Sequence, residues 1–363
     1  MQSELDLAGR HLGGYEVVER LEAGGMATLY LGRKHGASGF TRKVAIKIMH
    51  PHLAIDERIV RMFVDEARIC SQMTHPNLVR VEELGVDRGL YYLAMEYIDG
   101  CSLRAVFKYL SRMDRTLSVP LATRIVMDVA SGLHAAHTTV GEDGRPLDVI
   151  HRDISPANIL LSRTGHVKLI DFGIAKARNR LTETAAQDTV KGKLKYMAPE
   201  QALSGPVDRR CDLFALGVVL WEALAGRELF RGNQELAGFR ERMLGTAIQP
   251  PSATNPMVAP ALDALVAKLL AFRAADRCES ADELRHALGE LVPAAHAIDA
   301  TDLAALVAAT TGMPQALPIQ PTTTTDVDTR PKPASPRRTH WRWVAVLVAA
   351  MVTAGWLLVT CHK

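Results

Sequence analysis

The chain has 363 residues, with 43 lysines and arginines, 40 aspartates and glutamates, and a formal net charge of +3. This length allows a domain of roughly 280 residues with appended segments, and so small a charge excess argues against nucleic acid as a partner. The five cysteines show no Cys-x-x-Cys spacing, so we expect reduced thiols rather than disulfides or a zinc site.

The first part of the chain, from about residue 15 to residue 98, combines strand-like runs with one long helical pattern. A glycine-containing turn lies within residues 21–30, and a predicted third strand then carries Val44-Ala45-Ile46-Lys47. In the helix that follows, the apolar period points Glu66 inward, toward the lysine. Residues 91–100 form an apolar strand that becomes polar at its end.

The most informative segment is residues 151–158, HRDISPAN, which is followed thirteen residues after Asn158 by Asp171-Phe172-Gly173. Two carboxylates and an amide at this spacing can hold a hydroxyl nucleophile and metal ions around a triphosphate. A hard divalent cation requires oxygen ligands, which Asn158 and Asp171 supply. The spacing therefore predicts a phosphoryl-transfer site.

These segments, with Ala198-Pro199-Glu200 further along, resemble in order and interval the protein-kinase family, from about Tyr15 to about Leu291. The resemblance is greatest to the bacterial, eukaryotic-like (Hanks-type) serine/threonine kinases. It implies an α+β, two-lobed protein-kinase fold that binds ATP and Mg²⁺ and acts on proteins. Mn²⁺ is an alternative to Mg²⁺, because the oxygen ligands suit both ions.

The resemblance also implies roles for individual residues. Lys47 holds the α- and β-phosphates and pairs with Glu66, while Asp153 accepts the proton of the substrate hydroxyl. Asn158 and Asp171 hold the metal. The implied nucleotide-binding set comprises Leu21, Gly24, Gly25, Leu29, Ala45, Lys47, Glu96, Ile98 and Leu160. Within it, Glu96 and Ile98 act through main-chain groups of the hinge, with Met95 at the back of the pocket. His151, Phe172 and Cys70 are assigned to a packed core column.

The chain departs from the family pattern in the loop that covers the phosphates. Residues 21–30, LEAGGMATLY, keep only the middle glycine of the G-x-G-x-x-G pattern, Gly24. Glu22 and Ala27 occupy the outer glycine positions. We therefore expect the backbone to approach the phosphates less closely, with added repulsion from the Glu22 carboxylate.

A second departure concerns two residues that meet across the catalytic cleft in the family. Ser155 stands where these kinases usually have a lysine, and Lys193 stands where they usually have a threonine. The hypothesis is that the Lys193 ammonium supplies the positive charge that the family's lysine at position 155 would otherwise bring to the cleft. The alternative is that both changes are losses, which leaves a nucleotide-binding pseudokinase. Ser155 and Ala157 also differ from the tyrosine-kinase pattern, whereas the YMAPEQ stretch favours serine/threonine specificity.

The segment between Gly173 and Ala198 resembles an activation loop with a mostly basic charge. By the resemblance, Thr189 is the predicted phosphosite and Arg152 the residue that docks its phosphate. The added charge and acceptor oxygens are expected to order the loop. The alternative is that these threonines only solvate the loop, which applies more strongly to Thr182 and Thr184.

The predicted organisation continues beyond the kinase lobes. The segments are 1–14 (N-terminal segment), 15–98 (small lobe), 99–291 (large lobe), 292–312 (helical extension), 313–340 (proline- and threonine-rich basic linker), 341–360 (transmembrane helix) and 361–363 (tail). In the large lobe, Asp212 begins the predicted buried central helix. Arg277 is expected to pair with Glu200, as in the family.

The predicted membrane span rests on the eighteen residues from Trp343 to Thr360, none of which is charged. At about 1.5 Å per residue, a helix of this length reaches about 27 Å, close to the thickness of a bilayer core. A buried soluble helix is the alternative, but a helix behind a proline-rich linker has no core to pack on. Five basic residues precede the span and Lys363 follows it, which predicts a kinase domain on the cytoplasmic side. They are Arg330, Lys332, Arg337, Arg338 and Arg342.

The N-terminus lacks the apolar core of a secretory signal, so we expect insertion by the C-terminal tail. The basic residues before the span suit anionic lipid. The sequence thus predicts a single-pass protein kinase of the cytoplasmic membrane, specific for Ser/Thr, with a homodimer as the route to autophosphorylation in trans. The first alternative is a membrane-tethered pseudokinase scaffold. A small-molecule kinase is disfavoured by Ala198-Pro199-Glu200 and the long activation loop.

Overall fold

The computed structural model describes residues 7–172, 194–203, 205–230 and 248–312. All of them belong to one unit, Met1–Met313, and a second unit, Pro314–Lys363, lies outside the described residues. The predicted linker and membrane span therefore lie outside as well.

The small lobe is a six-stranded antiparallel sheet in the order β1-β2-β3-β4-β6-β5. Its strands are β1 (His11–Leu12), β2 (Tyr15–Ala23), β3 (Ala27–His35), β4 (Thr41–Met49), β5 (Val81–Asp87) and β6 (Leu90–Glu96), with helix α1 (Glu57–Ser71) between β4 and β5. The strand with Val44–Lys47 is fourth in the chain rather than third, because the two-residue β1 precedes it. The sheet thus begins at His11, within the segment that the sequence placed before the lobe.

Alternate side chains of strand β4 pack into two different apolar clusters, one on each face of the sheet. Val44, Ile46 and Ile48 enter the cluster on one face of the sheet, whereas Ala45 and Met49 enter the cluster that also holds residues of α1. Because successive side chains of a strand point to opposite faces, Lys47 lies on the α1 side. The residue pattern of one strand therefore aims this lysine at the helix.

Helix α1 presents its functional residue on its apolar face. Asp56 caps the helix by accepting a hydrogen bond from the Arg58 amide at 2.9 Å, a common N-terminal arrangement. The buried residues of the helix are Met62, Phe63, Glu66, Ala67 and Cys70, at the spacing of one helical face. Glu66 is therefore carried inward beside Phe63 and Ala67.

The large lobe consists mainly of helices and a second, three-stranded sheet in the order β7-β8-β9. The strands are β7 (Gly100–Ser102), β8 (Ile159–Ser162) and β9 (Val167–Leu169). The α-helices in the described ranges are α2 (Leu103–Arg112), α3 (Val119–His137), α4 (Pro199–Ala202), α5 (Arg210–Ala225), α6 (Pro260–Leu269), α7 (Ala281–Leu291) and α8 (Ala300–Thr311). Short 3-10 helices cover Ala37–Gly39, Leu194–Tyr196, Pro251–Ala253, Ala274–Asp276 and Pro293–Ala297.

Helix α5 is the centre of the large-lobe core. Every residue from Cys211 to Ala225 is buried, which is expected of a helix that is apolar on all sides. The predicted buried central helix beginning near Asp212 is thereby confirmed. The predicted Arg277–Glu200 pair is confirmed too, with two hydrogen bonds of 2.7 and 2.8 Å.

Helix α8, within the predicted extension, packs against α2, β7 and β8. Its Leu303 and Val307 belong to the large-lobe core. Among the described residues no helix has the length and apolar character needed to cross a bilayer.

Candidate active site

The two lobes bring together a lysine and two carboxylates. Lys47 Nζ lies 2.9 Å from Glu66 Oε1 and 3.2 Å from Asp171 Oδ1. Lys47 comes from β4, Glu66 from α1, and Asp171 from the segment after β9. Three distant parts of the sequence thus meet at one ammonium group, as the resemblance implied for Lys47 and Glu66.

The charge state of Lys47 follows from these contacts. Burial alone lowers the pKa of the ammonium, but the Asp171 and Glu66 carboxylates outweigh it and raise the pKa above its usual range. Lys47 is therefore a permanent cation at any physiological pH. A fixed positive charge in a partly dry site is suited to neutralising phosphate oxygens.

Asn158 holds the candidate catalytic base in place. Its Nδ2 donates to the Asp153 carboxylate Oδ2 at 2.9 Å and to the Asp153 carbonyl at 2.7 Å. Asn158 Oδ1 is left without a partner among the residues that the structure describes, and the Asp171 side chain is 46% exposed. Both predicted metal ligands thus present oxygen to the site, which fits Mg²⁺.

No group of three or more His, Cys, Asp or Glu side chains within the described ranges could hold a metal by itself. Mg²⁺ is usually bound through one or two protein ligands together with waters and substrate phosphates. Asn158 and Asp171 are the residues that would hold the ion.

His151 has a structural role. Its Nδ1 accepts from the Asp153 amide at 3.2 Å, so its Nε2 carries the proton and donates to the Ile170 carbonyl at 3.0 Å. Its ring lies 4.5 Å from that of Phe172, centroid to centroid, and both residues are buried. Cys70 belongs to the same apolar cluster as Phe172, and burial raises the pKa of its thiol. The predicted packing of these three residues is confirmed.

Asp212 fixes the backbone of the catalytic loop, residues 151–158. Its two carboxylate oxygens accept hydrogen bonds from the amides of His151 and Arg152 at 2.8 and 2.7 Å, and from His137 Nε2 at 2.8 Å. Burial raises the pKa of Asp212, but these partners, His137 first, bring it below its ordinary value. Arg152 has a φ of 63°, a left-handed conformation that is costly for this residue type. The Asp212 contacts stabilise it.

The hinge after β6 is held from behind by a lysine of β9. Lys168 Nζ donates to Glu96 Oε1 at 2.7 Å and to the Leu78 carbonyl at 3.2 Å. The same Glu96 oxygen accepts from the Arg80 amide at 2.7 Å. The Glu96 side chain is thus engaged away from any nucleotide, which agrees with the main-chain role implied for this residue.

The remaining predicted nucleotide-binding residues lie on both sheets. Leu21, Leu29 and Ala45 are on β2, β3 and β4, Ile98 lies between β6 and β7, and Leu160 is on β8. Gly24 and Gly25 form the turn between β2 and β3. A side chain at Gly24 would approach the Ala27 carbonyl to 2.9 Å, whereas one at Gly25 would meet nothing within 4 Å. The turn therefore leaves open space beside Gly25.

Two of the predicted functional residues, Lys193 and Thr189, lie outside the described residues, as do Thr182 and Thr184. Ser155 lies within the catalytic loop, where its carbonyl accepts from the Asn158 amide at 3.0 Å. The proposed exchange between Ser155 and Lys193 thus stays a prediction.

Sequence reasoning missed three contributions to this site: the Asp212 contacts, the Lys168–Glu96 pair, and a contact between His50 Nε2 and the Gly24 carbonyl at 2.8 Å. For Asp212, an acidic residue beginning an otherwise apolar helix was an available signal. A single histidine just after a strand, or a single lysine within one, gives no such signal.

The chain matches the protein kinase domain family over residues 15–288. It is 44% identical over 276 residues to the tyrosine-protein kinase MasK of Myxococcus xanthus (strain DK1622), a match covering 76% of this chain and 42% of that protein. It is 30% identical over 371 residues to the serine/threonine-protein kinase PrkC of Bacillus subtilis (strain 168), with 98% and 54% covered. The chain thus spans about half the length of these curated relatives.

The fold is similar to the crystal structure of the Mycobacterium tuberculosis PknI kinase domain, with a TM-score of 0.57 and 29% identity. That match covers 78% of this chain and 98% of the other. The two-lobed fold, the meeting of Lys47, Glu66 and Asp171, and the family match over three quarters of the sequence agree. The chain belongs to the protein kinase family, and its relatives include bacterial Hanks-type kinases.

Proposed function

We propose that this protein kinase transfers the γ-phosphate of Mg-ATP to serine and threonine hydroxyls of proteins, at the cytoplasmic face of a membrane. The observation that carries the proposal is the joint contact of Lys47 with Glu66 and Asp171, at 2.9 and 3.2 Å. A pseudokinase does not catalyse phosphoryl transfer, so it does not require these three groups to be aligned with Asp153 and Asn158.

The residues perform this transfer mainly by positioning and charge. Asn158 and Asp171 would hold Mg²⁺, which would supply positive charge to neutralise the phosphates. Lys47 stabilises the α- and β-phosphates, and Glu66 orients Lys47. Asp153, held by Asn158, accepts the proton of the attacking hydroxyl.

The relatives differ in the class of hydroxyl that accepts the phosphate. PrkC is named a serine/threonine kinase, whereas MasK is named a tyrosine kinase. The YMAPEQ stretch, Tyr196–Gln201, and the loop with Gly24-Gly25-Met26 favour serine/threonine here. Tyrosine is the second candidate, since the identity to MasK is 44%.

The acceptor is tested by labelling the full chain with γ-labelled ATP and hydrolysing it to phosphoamino acids, beside an Asp153→Asn control. We expect phosphothreonine, located at Thr189 by mass spectrometry and lost in the control. If phosphotyrosine were the only phosphoamino acid found, the serine/threonine proposal would be wrong, and the tyrosine specificity that the name of MasK gives would apply instead.

We include a switch at Thr189 in the proposal. Arg152 Nε is buried and has no hydrogen-bond partner within the described ranges, which supports Arg152 as a dock for a phosphate. Unchanged activity and unchanged loop phosphorylation in Thr189→Ala would exclude this switch.

The exchange of Ser155 and Lys193 is tested separately. We expect Lys193→Thr to abolish transfer and the double variant Ser155→Lys, Lys193→Thr to retain it. If Lys193→Thr is as active as the wild type, the exchange does not operate.

A further inference from the structure

The imidazole of His50, at the end of β4, contacts the turn between β2 and β3. Its Nε2 lies 2.8 Å from the Gly24 carbonyl oxygen, and because a carbonyl only accepts, Nε2 carries the hydrogen and donates it. The backbone amide of the same residue donates to the Met26 carbonyl at 3.1 Å. One residue therefore holds both carbonyls that flank Gly25.

The amides of the turn are arranged differently from its carbonyls. The Gly24 amide donates to the Ala27 carbonyl at 3.0 Å, closing the turn. The amides of Gly25 and Met26 donate to no group in the part of the chain that the structure describes. Successive unpaired amides in a turn form a concave site for an anion.

The hydrogen bonds of His50 to the turn gain importance because the two outer glycines of the family pattern are absent from this loop. Glu22 is paired with Leu29 in the β2–β3 ladder, and Ala27 is paired with Met49 in the β3–β4 ladder. Backbone freedom at the loop is therefore confined to Gly24 and Gly25. A turn in which fewer residues can adjust their backbone dihedrals depends more on a fixed hydrogen bond to keep its amide donors aligned.

We propose that His50 is a positioning residue for the nucleotide phosphates. By binding the Gly24 carbonyl it keeps the peptide planes of the turn oriented so that the Gly25 and Met26 amides meet the terminal phosphates of ATP. The inference rests on the proposed function, because it concerns the same nucleotide.

The neighbouring His52 provides a matched control. Its ring stacks on that of His50 at 5.5 Å between centroids with an interplanar angle of 18°, and it is exposed. It makes no hydrogen bond to the turn among the described contacts. His52→Leu therefore removes a ring from the same surface without removing the donor.

The test compares the full-length wild type with His50→Leu, His50→Gln and His52→Leu by calorimetric titration with ADP and with adenosine. Loss of one hydrogen bond that aligns two donors should weaken ADP binding in His50→Leu by about three- to tenfold. Adenosine binding should not change, because adenosine carries no phosphate. His50→Gln, whose amide can donate at the same reach, should restore most of the ADP affinity, and His52→Leu should bind as the wild type.

Equal ADP affinity in His50→Leu and the wild type would overturn the inference. So would equal losses in all three variants, or a parallel loss of adenosine affinity, because either result assigns His50 to general packing. Failure of the wild type to bind ADP at all would instead contradict the proposed function. The two failures are thus distinguishable.

Discussion

At the scale of single residues, Glu222 is a carboxylate buried in helix α5, with 3% of its surface exposed. Its oxygens accept from Tyr196 Oη at 2.8 Å and from the Leu229 amide at 3.2 Å. Burial raises the pKa of Glu222 to about 7, against the opposing effect of these donors. The group thus changes charge near physiological pH.

We predict a pH-dependent stability from Glu222. Its folded-state pKa lies above the ordinary value of 4.5, so its stabilising contribution is complete below pH 4.5 and is lost as the pH rises through 7. Across this window the free energy of unfolding of the wild type should fall relative to that of Glu222→Gln by up to about 3 kcal/mol. Urea titrations at a series of pH values measure this difference. Parallel curves for the two proteins would show that Glu222 does not titrate there.

Arg277 is the second residue with a large predicted effect. Its side chain is fully buried and donates to Glu200 and to the carbonyls of Ala271, Arg210 and Phe272. Arg277→Met leaves the largely buried Glu200 carboxylate without its cationic partner and removes a donor from each carbonyl, so we expect the free energy of unfolding to fall by about 3–5 kcal/mol.

The exposed pair Lys268–Glu283 is the control for Arg277, because both of its side chains are at least 40% exposed. Lys268→Met should cost only about 0–1 kcal/mol. Denaturant unfolding of Arg277→Met and Lys268→Met measures the two losses in free energy of unfolding. Similar losses would show that burial of the Arg277 ion pair does not increase its contribution to stability.

At the scale of elements, the start of helix α8 packs on the turn between β8 and β9 at a glycine. Gly165 has a φ of +78°, and a side chain there would approach the Ala300 carbonyl oxygen to 1.9 Å. Arg124 Nη1 also donates to the Ile298 carbonyl at 2.6 Å. The extension beyond the family match is thereby part of the folded lobe.

Gly165→Ala should therefore destabilise the protein by more than its backbone conformation alone requires. Gly144 is the matched control, since it has a φ of +75° and nothing within 4 Å of an added side chain. We expect a loss of about 1 kcal/mol in Gly144→Ala and roughly two to three times that loss in Gly165→Ala, where a backbone clash is added. Equal losses by thermal or urea unfolding would show that α8 does not press on Gly165.

The sequence predicted some elements of the fold better than others. Lys47, Glu66, Asp153, Asn158 and Asp171 were assigned from ordered segments whose intervals chance rarely reproduces. Strand β1 was missed because two residues have no period, so its pairing with β2 depends on the assembled sheet. The surface beneath α8 was also missed, since an alanine-rich helical pattern does not indicate which neighbour it covers.

At the scale of the whole molecule, the proposal places the kinase domain at a membrane through residues 341–360. We predict that the full chain sediments with membranes at high salt and that a chain lacking 341–360 stays in the supernatant. Serine substitution of the basic residues Arg330, Lys332, Arg337, Arg338 and Arg342 is the control and should leave the protein in the membrane pellet, because the apolar span supplies most of the affinity. Recovery of the full chain in the supernatant would contradict the anchor.

The central claim is that the Lys47–Glu66–Asp171 cluster and Asp153 serve turnover and not only nucleotide binding. The most direct measurement compares ATP affinity and γ-phosphate transfer in the wild type and in Asp153→Asn, both with Mg²⁺. We predict transfer by the wild type, and in the variant unchanged affinity with a rate lower by about 10²- to 10⁴-fold. ATP binding without transfer in the folded wild type would contradict the account and favour a scaffold.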